Sequence, residues 1–134
     1  YFRYINYINN EGVDVVQHVS DGLLYQIGTT YTNDNDIRIN TRARTGAFNG
    51  QVLDNKSFPY LRLDADNVSA NAYVRWTDDD YATYNLFRPI ALSNNRKEIR
   101  NLTRSRRRAF EVMHADDSAF IASSLELDVK PWRI

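Results

Sequence analysis

The residues of this chain best equipped for chemistry are arginines. Between positions 88 and 108, Arg88, Arg96, Lys97, Arg100, Arg104, Arg106, Arg107 and Arg108 stand against a single acid, Glu98. A guanidinium group is planar and permanently charged. Such a cluster therefore meets phosphate, in a salt-dependent contact blind to base sequence, or carboxylate, in forked ion pairs. The chain carries 17 basic and 17 acidic residues and no net charge, so no global field draws it onto nucleic acid or an anionic membrane. Ion pairing with the chain's own aspartates, or across a subunit interface, is the expected use, and specific nucleic-acid binding is not expected.

Three further sets of residues have chemical capacity. Asp34, Asp36, Asp64, Asp66 and the run Asp78-Asp-Asp80 could offer oxygens to calcium, but the ordered Asp-x-Asp-x-Asp-Gly loop with a distal Glu is absent. Aspartates between short strands more often make turns, so no metal and no cofactor is expected. His18 and His114 are the only histidines, and neither sits in a Ser or Cys nucleophile motif, so no catalytic residues are assigned and the chain does not read as an enzyme. Tyr73, Trp76, Tyr81, Tyr84 and Trp132 could stack on sugar rings, although strand aromatics usually pack in a core or interface. Asn-x-Ser/Thr sequons at Asn55, Asn67 and Asn101 arise readily by chance in an Asn-rich chain.

The elements that must position these residues read as strands. Asp outnumbers Glu by 13 to 4, Asn is frequent, and Tyr and Phe together number 15, a profile of short strands joined by Asx-rich turns. Phe2 to Ile8 is aromatic and β-branched and ends at Asn9-Asn-Glu-Gly12. Val13 to Val19 and Leu23 to Ile27 form a hairpin around Ser20-Asp-Gly22, where Gly22 can take positive φ. After a polar loop, Tyr31 to Asp36, Ile37 to Ala43 alternates. Phe58 to Leu63 and Ala70 to Trp76 are expected to pair across the intervening loop. Tyr84 to Ile90 reads as an edge strand because Pro89 cannot donate to a ladder.

Arg104-Ser-Arg-Arg-Arg-Ala-Phe-Glu-Val-Met-His114 reads as one strand. Period-two alternation puts Arg106, Arg108, Phe110, Val112 and His114 on one face and Arg107, Ala109, Glu111 and Met113 on the other. A partner strand, Phe120 to Val129 with Leu125, Leu127 and Val129 on one face, is expected to close a hairpin across Ala115-Asp-Asp-Ser118. Eight to ten short strands without helices imply an all-β fold, an antiparallel two-sheet β-sandwich, since one sheet alone could not bury its apolar face. At 134 residues one domain is expected, 1–134. No Cys is present, which excludes disulfide scaffolds and thiolate metal sites. No apolar run approaches the roughly twenty residues that span a bilayer. The first residue is Tyr1 rather than an initiator Met, and the chain reads as a domain excised from a larger protein.

The order of segments also carries a resemblance. Asp21-Gly-Leu-Leu-Tyr-Gln-Ile27, Tyr31-Thr-Asn-Asp-Asn-Asp-Ile37, Arg42-Ala-Arg-Thr-Gly46, Tyr73-Val-Arg-Trp-Thr-Asp-Asp-Asp80, Arg104 to His114 and Ser124-Leu-Glu-Leu-Asp-Val129 together resemble the C-terminal β-rich region of tail and head-to-tail structural proteins of tailed bacteriophages. Packaged-DNA stabilisation proteins and tail nozzle proteins are similar in this respect. The sequence departs from that pattern at Tyr81-Ala-Thr-Tyr84 and at Ser93-Asn-Asn-Arg-Lys97, where Gly-rich turns are usual. The resemblance implies a non-enzymatic assembly module of a virion tail or connector, in a homo-oligomeric ring with other virion subunits. The interface or binding candidates are Arg100, Arg104, Arg106, Arg107, Arg108, Tyr73 and Trp76. The competing class is a secreted carbohydrate- or ligand-binding β-sandwich.

Overall fold

In the computed structural model of the chain, residues 2–8, 14–18, 22–28, 31–34, 36–51 and 53–132 are described; for 2–8, 14 and 18 this extends to the backbone only. The turns expected at 9–12 and 20–21 lie outside the described residues. All regular structure among the described residues is β; no helix there is long and apolar enough to cross a membrane. The chain divides into two compact units, Tyr1–Ile37 and Arg38–Ile134.

The first unit contains β1 (Phe2–Ile8), β2 (Asp14–His18) and β3 (Leu24–Gln26), an antiparallel sheet in the order β1-β2-β3. The expected hairpin is present: Val15 pairs with Gln26 and Gln17 with Leu24, and Gly22 has φ +71°. A side chain at position 22 would be strained by that backbone alone. Along the chain follow β4 (Asn33–Asp34) and β5 (Ile37–Arg38).

The second unit is an antiparallel sandwich. Its strands are β6 (Thr41–Arg44), β7 (Lys56–Ser57), β8 (Tyr60–Ala65), β9 (Asn71–Thr77), β10 (Arg88–Ala91), β11 (Glu98–Arg100), β12 (Arg104–Ser105), β13 (Ala109–His114), β14 (Ala122–Leu127) and β15 (Lys130–Pro131). One sheet runs β10-β9-β13-β6, a second β11-β8-β14, and a small third β12-β7-β15. Alternation decides the faces. Ala72, Val74 and Trp76 of β9 and Phe110 and Val112 of β13 meet Leu61 and Leu63 of β8 and Ile99 of β11 in one core, with Leu125 and Leu127 of β14 packed against it. Phe58 and Phe110 meet edge to face at 6.4 Å. Each fully buried Val, Leu, Ile or Phe side chain in this core stabilises the fold by about 1.5–3 kcal/mol. β10 is an edge strand carrying Pro89, but it covers Arg88–Ala91 rather than the expected Tyr84 to Ile90.

Two pairings differ from expectation. Strand β13 pairs with β9 and β6, not with β14, and β14 pairs with β8. Likewise β8 and β9 lie in different sheets. In both cases the connection crosses the sandwich instead of turning back alongside its own strand. A period-two pattern fixes which face is buried, and two faces meeting across a core look the same in sequence as two on neighbouring strands. The turn after β13 is fastened to the first sheet, where Asp116 Oδ2 accepts a hydrogen bond from the Asn71 backbone N–H at 2.9 Å.

The segment from Arg104 to His114 is also not one strand. It bends at 106–107 between β12 and β13, where Ser105 Oγ donates to the Arg107 carbonyl at 2.6 Å and accepts from the Arg107 N–H at 3.2 Å. A serine hydroxyl binding the backbone two residues on is a turn former. Alternation holds from Arg108 inward, but Arg106 is exposed and does not join that face.

Candidate functional site

Arg108, just before β13, and Glu111, within it, create two ionic centres on opposite faces. The inner one is Arg108, whose side chain is 0% exposed. Its Nε and Nη2 donate to the two Asp78 carboxylate oxygens at 2.7 Å each, Nη2 also donates to Thr103 Oγ1 at 3.2 Å, and Nη1 donates to the Leu102 carbonyl. The guanidinium lies over Phe58 and Trp76, 4.7 and 5.1 Å from the ring centroids. The forked geometry suits Asp, and the flat ring faces suit a weakly hydrated cation.

Arg108 thereby ties together two turns with unusual backbones. Asp80 and Tyr81 have φ of 55° and 71°, and Asn101 and Thr103 have φ of 58° and 69°. For β-branched Thr103 this is a genuine outlier, costing on the order of 1–3 kcal/mol. The Asp78 and Thr103 side chains and the Leu102 carbonyl, all at these turns, converge on one cation.

The other expected candidates disperse. Arg107 pairs with Asp80 at 3.0 Å, Arg100 with Glu98 at 2.7 Å, and Arg104 lies 3.3 Å from the Trp132 ring centroid. The hydrogen bond from Arg100 holds the Glu98 carboxyl below the usual carboxylate range. Arg106 contributes its carbonyl, which accepts from the buried Lys56 Nζ at 2.9 Å. Trp76 is in the core, while Tyr73 lies on the opposite face of β9, so the two share no platform. Tyr81 donates its hydroxyl to the Thr45 carbonyl at 2.9 Å.

The acidic run is likewise divided among separate partners. Asp78 binds Arg108 and Asp80 binds Arg107. Asp79 accepts hydrogen bonds from the Thr83 hydroxyl and N–H and from the Thr77 hydroxyl, which hold its carboxyl at about 2. Among the described residues no three His, Cys, Asp or Glu side chains are grouped to hold a metal. His114 is buried, stacked on Phe120 at 4.7 Å, with Nε2 3.0 Å from Ser118 Oγ. Burial lowers its pKa against the opposing charge of Asp116. His18 lies in β2, its side chain outside the described residues.

The outer centre is not legible in sequence as a cluster. Glu111, 0% exposed, faces away from the core and is met by Arg44 at 2.9 Å, Arg75 at 3.1 Å and Arg42 at 3.6 Å, which are 53%, 21% and 47% exposed. Cross-strand register explains the convergence, since Glu111 is directly opposite Arg44 on β6 and Arg75 on β9. Burial pushes the Glu111 carboxyl up, but the hydrogen bonds and charges of Arg44 and Arg75 outweigh it and leave it lowered. Arg75 is flanked by Tyr84 and Phe87, 4.0 and 4.6 Å from the ring centroids. Three cations share one carboxylate, so the centre carries an excess of two positive charges. The sequence signal is present in Arg42 and Arg44, two residues apart on one strand, and in Glu111 on the outward face of another. Only the strand order joins them.

No protein-family model matches this chain, and no curated protein matches it.

Proposed function

We propose that this chain is a non-catalytic structural and assembly module of a phage tail or head-to-tail connector, working in a homo-oligomeric ring with other virion proteins. The observation that carries the structural part is the Arg108 brace. A fully buried guanidinium paired with Asp78 fixes two strained turns, and neighbouring members of the basic run meet carboxylates or an aromatic face within the same fold. A guanidinium buried and paired as Arg108 is is withdrawn from phosphate and serves the fold instead. The virion setting is supported by the order of sequence segments alone.

The test is assembly. Purified protein carrying this chain should form a ring-sized homo-oligomer by mass photometry and negative-stain microscopy, and its gene should lie among portal, terminase and tail genes. A monomer at micromolar concentration, encoded outside any virion cluster, would overturn the proposal.

One observation favours the carbohydrate-binding alternative. A cleft of about 440 Å3 is lined by Phe48, Asp54, Asn55 and Trp132, combining aromatic residues with polar groups able to bind hydroxyls. Glycan-array binding lost in Trp132→Ala would support it.

A further inference from the structure

At one side of the sandwich both sheets end together. Among the described residues β6 pairs only with β13, and β14 only with β8. The Thr45 N–H donates to the Phe110 carbonyl at 2.9 Å. By antiparallel alternation, the N–H and C=O groups of Arg42 and Arg44 therefore point away from β13, toward the open edge. Between the two edge strands runs a groove of about 210 Å3, where Ala43 of β6 and Leu125 of β14 flank the core residues Leu63 and Val112, with Phe120 beside them. Ala43 is too small to fill it. On the other face of β6 stand Arg42 and Arg44, part of the centre in which three arginines share Glu111.

We propose that the β6 edge receives an extended strand of another polypeptide whose side chains alternate acidic and apolar. Residues of the added strand opposite Arg42 and Arg44 would share their face, where carboxylates meet the excess positive charge. Those opposite Ala43 would share the inward face and enter the groove. Main-chain hydrogen bonds to Arg42 and Arg44 supply the register. Charge on an edge strand can also serve only to repel unwanted pairing, but repulsion alone does not account for an apolar groove kept open beside it. The inference deepens the assembly reading by naming a joining surface, and rests on that reading for the partner's origin alone. Peptide binding can succeed where ring assembly fails, and the reverse.

The test titrates the whole chain with a fluorescent peptide, acetyl-Glu-Val-Glu-Leu-Glu-Val-Glu-amide, by anisotropy. A same-composition peptide with its acids and apolar residues in two blocks, inorganic phosphate, and duplex DNA serve as comparisons. Expected are saturable binding at least tenfold tighter for the alternating peptide, a threefold or greater loss in Arg42→Gln, and slowed hydrogen exchange at the Arg42 and Arg44 amides of the unaltered chain. Exchange in the unaltered chain keeps the proposal open to refutation even where the variant fails to fold. Equal binding of the blocked peptide, phosphate or DNA without slowed exchange would overturn it in favour of an undirected anion patch. Protection of the same amides on concentrating the protein alone would overturn it in favour of a second copy. No binding of the alternating peptide at millimolar concentration would overturn it outright.

Discussion

Arg108 and Glu111 are three residues apart, yet they are opposite solutions to placing a charge in a β-sandwich. Arg108 faces inward and has one carboxylate, one carbonyl and one hydroxyl around its fork. Glu111 faces outward and has three guanidinium groups around one carboxylate. The first centre is balanced, one buried guanidinium against one carboxylate that is 41% exposed, so its cation is engaged within the fold. The second is unbalanced, and two of its three arginines are about half exposed, so it retains donors for something else. Counting charges around a buried ion separates a brace from a surface better than counting arginines in sequence does.

The largest expected effect is in the core beside the brace, where Phe110→Ala should cost ~3–5 kcal/mol from lost contacts and a cavity. Arg108→Met leaves the Leu102 carbonyl and Thr103 hydroxyl without their donor and both strained turns untied, while Asp78, 41% exposed, regains water. It should destabilise the protein by about 1–3 kcal/mol in urea denaturation, the range for polar groups left without a charged partner. A loss below about 1 kcal/mol for Phe110→Ala, at the level of typical surface changes, would remove this residue from the core.

At the outer centre the effect of removing one half-exposed arginine should be smaller, because Glu111 keeps the other two as partners. Arg42→Ala, half exposed and 3.6 Å from Glu111, should change stability by about 0–1 kcal/mol. A cost matching that of Arg108→Met would erase the distinction between the two centres. Arg106→Glu should stay within about 0.5 kcal/mol, as for an exposed residue away from special features.

Acid should act on the carboxylates with depressed pKa. Asp79 titrates near 4 when unfolded and at about 2 when folded, so its contribution is complete above about 4 and is lost as pH falls toward 2. Asp79→Asn should flatten the decline in melting temperature across that window. His114, lowered by burial, contributes stability that is complete above about 6.5 and is lost as pH falls through its folded value.

Composition and alternation make the all-β fold legible, and the inward positions Phe110 and Val112 with Leu125 and Leu127 packed against their core, whereas Trp76, read as an interface candidate, is instead in that core. They cannot distinguish strands that share a sheet from strands that face each other across it, which is why alternation alone pairs β13 with β14. The basic run reads as a partner for aspartates, and Arg107 and Arg108 do meet them. The bend at 106–107 escapes a face pattern because it depends on the Ser105 hydroxyl binding nearby backbone. The Glu111 centre needs three strands in register before its residues become neighbours.

The contrast between the two centres is tested most directly by a double-mutant cycle on Arg108 and Asp78, read by urea denaturation. Asp78→Asn, Arg108→Met and the double variant should give a coupling energy of about 0.5–3 kcal/mol, the range for residues in one ionic network. Coupling indistinguishable from zero would contradict the Arg108–Asp78 brace and the division of roles built on it.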